Sequence, residues 1–143
     1  MPNIHPFLTH FPIALLTISF VFDTLSILFK DDRLEHVGRW SQLVGTIILA
    51  ATVISGLVAK GELTVPATGE AFLETHQEIA FVVTALAAFL LLWRVSNRLL
   101  LPSTHRNTFL ILSFATLALV WVGAWYGGVL VYRFGVGVQI VPK

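Results

Sequence analysis

Apolar residues run through this chain in four long blocks, 11–29, 40–59, 79–101 and 109–131, separated by short segments where charged residues, Gly and Pro collect. A helix crosses a hydrocarbon core of about 30 Å with roughly 20 mostly apolar residues, and each block reaches that length. The pattern predicts an all-α protein: one integral membrane four-helix bundle, up-down-up-down, that uses the whole of the 143 residues as a single domain. Small and polar residues recur within the blocks at helical spacing: His10, Thr17 and Thr24; Ser41, Gly45, Thr52 and Gly56; Ala80, Thr84 and Ala87; Gly123 and Gly127, followed by Gly128. Lipid-embedded helices gain no hydrophobic drive from associating and meet along residues small enough to let backbones approach. These stripes are therefore the expected contact faces. The blocks show no strong internal repeat beyond a histidine that opens the first and third, His10 and His76.

A hydrophobic share of 56% with only 12% charged residues would leave a soluble domain of this size with a surface it could not hydrate. No Lys or Arg occurs between residues 1 and 10, so the start of the chain lacks the basic region of a cleaved secretory signal, and the first block is expected to be retained. Lys30, Arg33 and Arg39 follow the first block, and Arg94, Arg98 and Arg106 stand in the last part of the third or just beyond it, whereas the other side carries Lys60, Arg133 and Lys143. The positive-inside rule then puts the first and third connections in the cytoplasm and both termini on the periplasmic side. Trp40 and Trp93 fall at the inner interface, and Trp125, Tyr126 and Tyr132 at the outer one. A net charge of +1, with the cations spread over several loops, argues against a nucleic-acid partner and leaves the lipid bilayer as the first one.

The absence of cysteine excludes disulfides, thiolate metal sites, iron–sulfur ligation and covalent c-type haem. Histidine is the remaining redox ligand. Pro12 suits the first turn of a helix, which sets His10 at the helix start, where the macrodipole disfavours an imidazolium. Up-down topology brings the starts of the first and third helices to one membrane face. His10 and His76 are thus the expected axial ligands of a haem held between facing helices, with the small residues leaving room for the macrocycle. A divalent metal is the competing ligand and would recruit His5, Glu74 or Glu78. His36 and His105 form a weaker second pair, in Arg-rich, loop-like sequence. Asp23 is the one acidic residue within a block; intramembrane charge is costly and often functional, yet Arg94, Asn97 and Arg98 lie within reach for an ion pair. Motifs for hydrolysis or phosphoryl transfer are missing.

The opening His5-Pro6-x-x-x-His10-Phe11-Pro12-Ile13-Ala14-Leu15 and the closing Gly127-Gly128-x-Leu130-Val131-Tyr132-Arg133-x-Gly135-Val136-Gly137-Val138 together resemble a bacterial family of small four-helix inner-membrane proteins whose domain has no assigned function. The resemblance runs from His5 to Val138 and implies a multi-pass protein of the bacterial inner membrane. Relatives joined to Rieske or c-type cytochrome modules imply an electron-transfer setting. Many relatives carry a His in the closing motif where this chain has Phe134, so the ligands here are expected to be His10 and His76. Arg133, with Tyr132 beside it, is the expected contact for haem propionates.

The function these readings favour is a b-type cytochrome-like electron carrier, more a carrier or subunit than a stand-alone enzyme, with a periplasmic cytochrome, a Rieske-type protein or a larger membrane complex as partner. A cofactor-free structural subunit is the first alternative, a small metal or proton conductor using His10, His76 and Asp23 the second. A homodimer is compatible with the exposed small-residue surface.

Overall fold

The computed structural model describes residues 4–138, and they form four long helices, α1 (His5–Phe29), α2 (Asp32–Glu62), α3 (Glu70–Ser96) and α4 (Arg106–Tyr132), with a single 3-10 turn, Ala67–Gly69, before α3. Lys143, counted above among the outer cations, lies outside the described residues. All four helices have the length and composition to cross a membrane. α1 packs on α2, α2 on α3, α3 on α4 and α4 back on α1, so the helices close a ring in chain order. Packing is far more extensive within the α1–α2 and α3–α4 hairpins than between them.

The distribution of residue types is inverted relative to a water-soluble bundle. Asp23, Arg94, Gln42, Ser19, Ser26, Thr46, Thr52 and Thr116 are buried, while Phe, Leu, Ile, Val and Trp side chains such as Leu28, Ile47, Leu92, Ile111 and Trp121 point outward. Such an apolar exterior belongs in lipid. Between the polar ends sits a small apolar core of Leu16, Leu49, Val83, Ala87 and Val120.

The helices do not coincide with the apolar blocks. Pro6, rather than Pro12, occupies the first turn of α1, and Pro12 lies inside the helix; His10 consequently sits in the second turn. α2 starts on Asp31, whose carboxylate accepts the Arg33 backbone N–H at 2.9 Å. The Arg33 guanidinium also bonds this carboxyl and holds it below the usual carboxylate range. α3 stops at Ser96 because Arg98 and Leu99 take left-handed backbone angles, φ 58° and 63°, and the Leu99 N–H turns back to the Arg94 carbonyl at 2.9 Å. Glu35 of α2 then ties down the following loop by accepting the Leu101 N–H at 2.6 Å.

A shift of 71 residues aligns the two hairpins in register. It carries His5 onto His76 and Asp23 onto Arg94. The buried face of α1 (Pro12, Leu16, Ser19, Asp23) becomes that of α3 (Val83, Ala87, Leu90, Arg94), and Gly38, Gly45, Leu49 and Thr52 of α2 become Phe109, Thr116, Val120 and Gly123 of α4. The repeat was not legible in the blocks because only the register of burial and a few residues survive it. The alternating spacing of three and four residues on every buried face is that of left-handed helix packing.

His10, Thr17 and Thr24 are not the inward face of α1. Thr17 and Thr24 donate to the carbonyls of Ile13 and Phe20 in their own helix, at 2.6 and 2.8 Å. A hydroxyl satisfied in this way needs no neighbouring helix, so a stripe of threonines says nothing about which face is buried.

Candidate functional site

The 3–4 spacing that buries Pro12 also places His5 two turns earlier on the same face. His10 is five residues past His5, about 140° around a helix of 3.6 residues per turn, and is exposed. The structure therefore brings His5, not His10, to His76. Their ring centroids are 6.5 Å apart and the rings stand at 82° to each other.

Each imidazole is seated by the partner helix of its own hairpin, in the same way. His5 Nδ1 lies 2.9 Å from the Thr52 carbonyl, with Ser55 Oγ at 3.1 Å; His76 Nδ1 lies 2.9 Å from the Gly123 carbonyl. The sequence separation is 47 residues in both cases. A carbonyl only accepts, so Nδ1–H is the donor in each ring and the lone pair falls on Nε2. One turn further along, Gly56 and Gly127 lie under the rings: a methyl group on Gly56 would be 2.8 Å from His5 Cε1, and one on Gly127 3.3 Å from His76 Cε1. The small-residue stripes of α2 and α4 thus make room for imidazoles, a use that helix packing alone does not require.

The two rings look into a cavity of about 180 Å³ whose wall draws on all four helices, mainly through apolar side chains such as Ile13, Leu49, Val53, Ile79 and Val120. Most of the wall comes in pairs related by the 71-residue shift, among them Pro12 with Val83, Leu49 with Val120 and Val65 with Val136. His10 does not line it, and its counterpart in the second half is Phe81. Arg133 and Tyr132 do not line it either. Tyr132 is 92% exposed, and the Arg133 guanidinium lies over the Phe134 ring at 5.6 Å. Phe134 itself packs on Phe72, 5.2 Å between centroids, outside the cavity wall.

The opposite end of the bundle holds a second constellation. Arg94 Nη2 is 2.6 Å from Asp23 Oδ1, with both side chains buried, at 0% and 1% exposure. Arg94 Nη1 donates to Gln42 Oε1 at 2.8 Å, and the guanidinium lies 5.2 Å from the centre of the Phe109 ring. Asp23 was legible as an ion-pair candidate and Arg94 as one of its partners. Gln42 and Gly38 were not, since an amide and a glycine announce nothing by themselves. Eighteen residues separate Asp23 from His5, roughly 27 Å at 1.5 Å per residue, with the apolar core between them.

His36 and His105 do not meet. His36 is exposed, bonded to Arg39 and next to Trp40, whereas His105 rests against Trp93 at 6.3 Å between centroids. Among the described residues, no group of three or more His, Cys, Asp or Glu side chains could hold a metal ion. Glu74 and Glu78 therefore do not complete a carboxylate-bearing site around the two imidazoles.

The model of one protein family matches residues 1–140 of the chain, under the description Predicted membrane protein (DUF2231). No curated protein and no solved structure matches.

Proposed function

We propose, for a chain that belongs to the DUF2231 family of predicted membrane proteins, that it is a membrane electron carrier which holds a b-type haem between His5 and His76. The observation that carries this reading is the separation of the two rings. With metal–imidazole bonds of about 2.0–2.1 Å and about 1.1 Å more from nitrogen to ring centre, two imidazoles on opposite sides of one metal have centroids roughly 6.3 Å apart; here the value is 6.5 Å.

The donor set supports the same choice. A zinc-type site takes three or four protein ligands, and among the described residues two imidazoles meet here. Iron already bound to four macrocycle nitrogens needs only two axial ligands. Both rings have the tautomer that ligation by Nε2 requires, and the Thr52 and Gly123 carbonyls that accept from Nδ1–H would orient them and raise their basicity. The apolar wall suits a porphyrin face. Its volume of about 180 Å³ is below the roughly 300–1,000 Å³ of pockets for sizeable ligands, so loading would displace wall side chains around the two rings while their separation is kept. Each hairpin contributes one imidazole, and the macrocycle would lie between them.

When bound, the haem supplies one-electron redox chemistry. The residues of the chain fix the axial rings, exclude water and keep the iron off the lipid. With both termini periplasmic, as the distribution of cations favours, the site opens toward the outer face, within reach of a periplasmic cytochrome or Rieske-type partner. The test is the dithionite-reduced minus oxidised spectrum of protein purified from a haem-replete bacterial host. A sharp low-spin α band that disappears in His5→Ala and in His76→Ala, and persists in His10→Ala, is the expected result. A featureless spectrum would leave the cofactor-free structural subunit as the better reading.

A further inference from the structure

The repeat makes the cavity wall nearly symmetric, and a symmetric wall accepts a flat ligand equally well in either of two orientations. One pair of positions breaks the symmetry in charge. Lys60 and Gln77 line the cavity on the α2–α3 side, with Lys60 Nζ donating to Gln77 Oε1 at 2.7 Å. Their counterparts under the 71-residue shift, Val131 and Pro6, line it on the α4–α1 side and are apolar. Lys60 is the single Lys, Arg, Asp or Glu in the described wall, and among the described residues no carboxylate pairs with its ammonium. It stands in the last turn of α2, where the helix dipole favours a cation.

We propose that Lys60 and Gln77 form a carboxylate-binding rim, so that the cavity takes a flat amphipathic acid in one orientation, with its acidic edge between α2 and α3. The inference rests on the haem reading and adds to it: the propionate edge leaves the bundle beside Lys60, and Arg133, which is off the wall, does not receive it. The ammonium supplies a charge-assisted hydrogen bond to the carboxylate, and the Gln77 amide, released from Lys60, supplies a neutral one.

The experiment titrates haem-free protein in a neutral detergent with haem and with haem dimethyl ester, in which both carboxylates are blocked, and follows the visible spectrum. Without anionic lipid, no lipid phosphate can take the place of the carboxylate. Wild type is expected to bind the free acid tighter than the ester by about tenfold or more. In Lys60→Met the ratio should fall close to one, and in the double variant Lys60→Met, Val131→Lys it should rise again, because the charge has moved to the equivalent position. A ratio near one in wild type, an undiminished ratio in Lys60→Met, or no recovery in the double variant would overturn the rim while leaving the imidazole site standing. Failure of wild type to bind either compound would overturn the rim and the haem reading together.

Discussion

Asp23 and Arg94 hold equivalent positions in the two hairpins and meet at 2.6 Å, so the axis relating the halves passes through an ion pair of unlike residues. At the other end the same axis passes between two like residues, His5 and His76.

Breaking the pair should cost much more than removing it. Asp23→Asn leaves a buried guanidinium without its counter-charge, and Arg94→Met leaves a buried carboxylate; each is expected to destabilise the bundle by about 3–5 kcal/mol. Asp23→Leu combined with Arg94→Met, which removes both charges, should recover most of that loss. Thermal unfolding midpoints in one detergent would decide. If the losses in the double variant simply add, the two charges are not coupled and their contact does not hold the halves together.

Gly38 is the floor on which Asp23 rests. A methyl group there would stand 2.8 Å from the Asp23 Cγ, and the carboxylate cannot retreat without leaving Arg94. Gly38→Ala should therefore lower stability by about 1–3 kcal/mol, the usual cost of overpacking, despite alanine's better helix propensity. Gly128→Ala is the control: nothing lies within 4 Å of a methyl at that position, so its effect should be neutral or slightly stabilising, by up to about 1 kcal/mol.

The two glycines under the imidazoles should rank in the order of their clearance. Gly56→Ala presses on His5, from 2.8 Å, and Gly127→Ala presses on His76 from 3.3 Å. If the proposed haem site is right, haem affinity, read by titration of the haem-free variants, should fall more in Gly56→Ala than in Gly127→Ala. The reverse order would indicate that the His5 ring is not held where Thr52 and Gly56 place it.

The absence of cysteine makes the topology easy to test. Thr68 lies in the connection between α2 and α3, and Ser103 in the one between α3 and α4; both are exposed. A membrane-impermeant maleimide added to spheroplasts should label Thr68→Cys at once and Ser103→Cys only after permeabilisation. The opposite pattern would invert the orientation and move the histidine end to the cytoplasmic side.

Four membrane-length helices were legible because length and apolar composition are summed over some twenty residues, and no single position can spoil the signal. The histidine that faces inward was not, because one step of register decides it. His5 and His10 share a motif, and both lie next to a proline or one residue from it. Pro12 looked like the helix start, yet Pro6 plays that part. A helix start at Pro12 instead of Pro6 sets the expected ligand five residues further on, on the exposed face. Thr17 and Thr24 point to the same face as His10, since a hydroxyl bonded to its own helix has the composition of a packing residue without the role. Asp23 with Arg94 was accessible to sequence reasoning because charge in a membrane span demands a partner.

The ion pair also has a consequence for assembly. Two copies of the first hairpin, pressed together as the halves are in this bundle, would set aspartate against aspartate; two copies of the second would set arginine against arginine. Either mismatch buries like charges, whereas the histidine end would tolerate both. The Asp23–Arg94 contact therefore acts as a parity rule, under which only unlike halves assemble. A chain severed in the 63–66 connection would still carry the instruction to rejoin one to one.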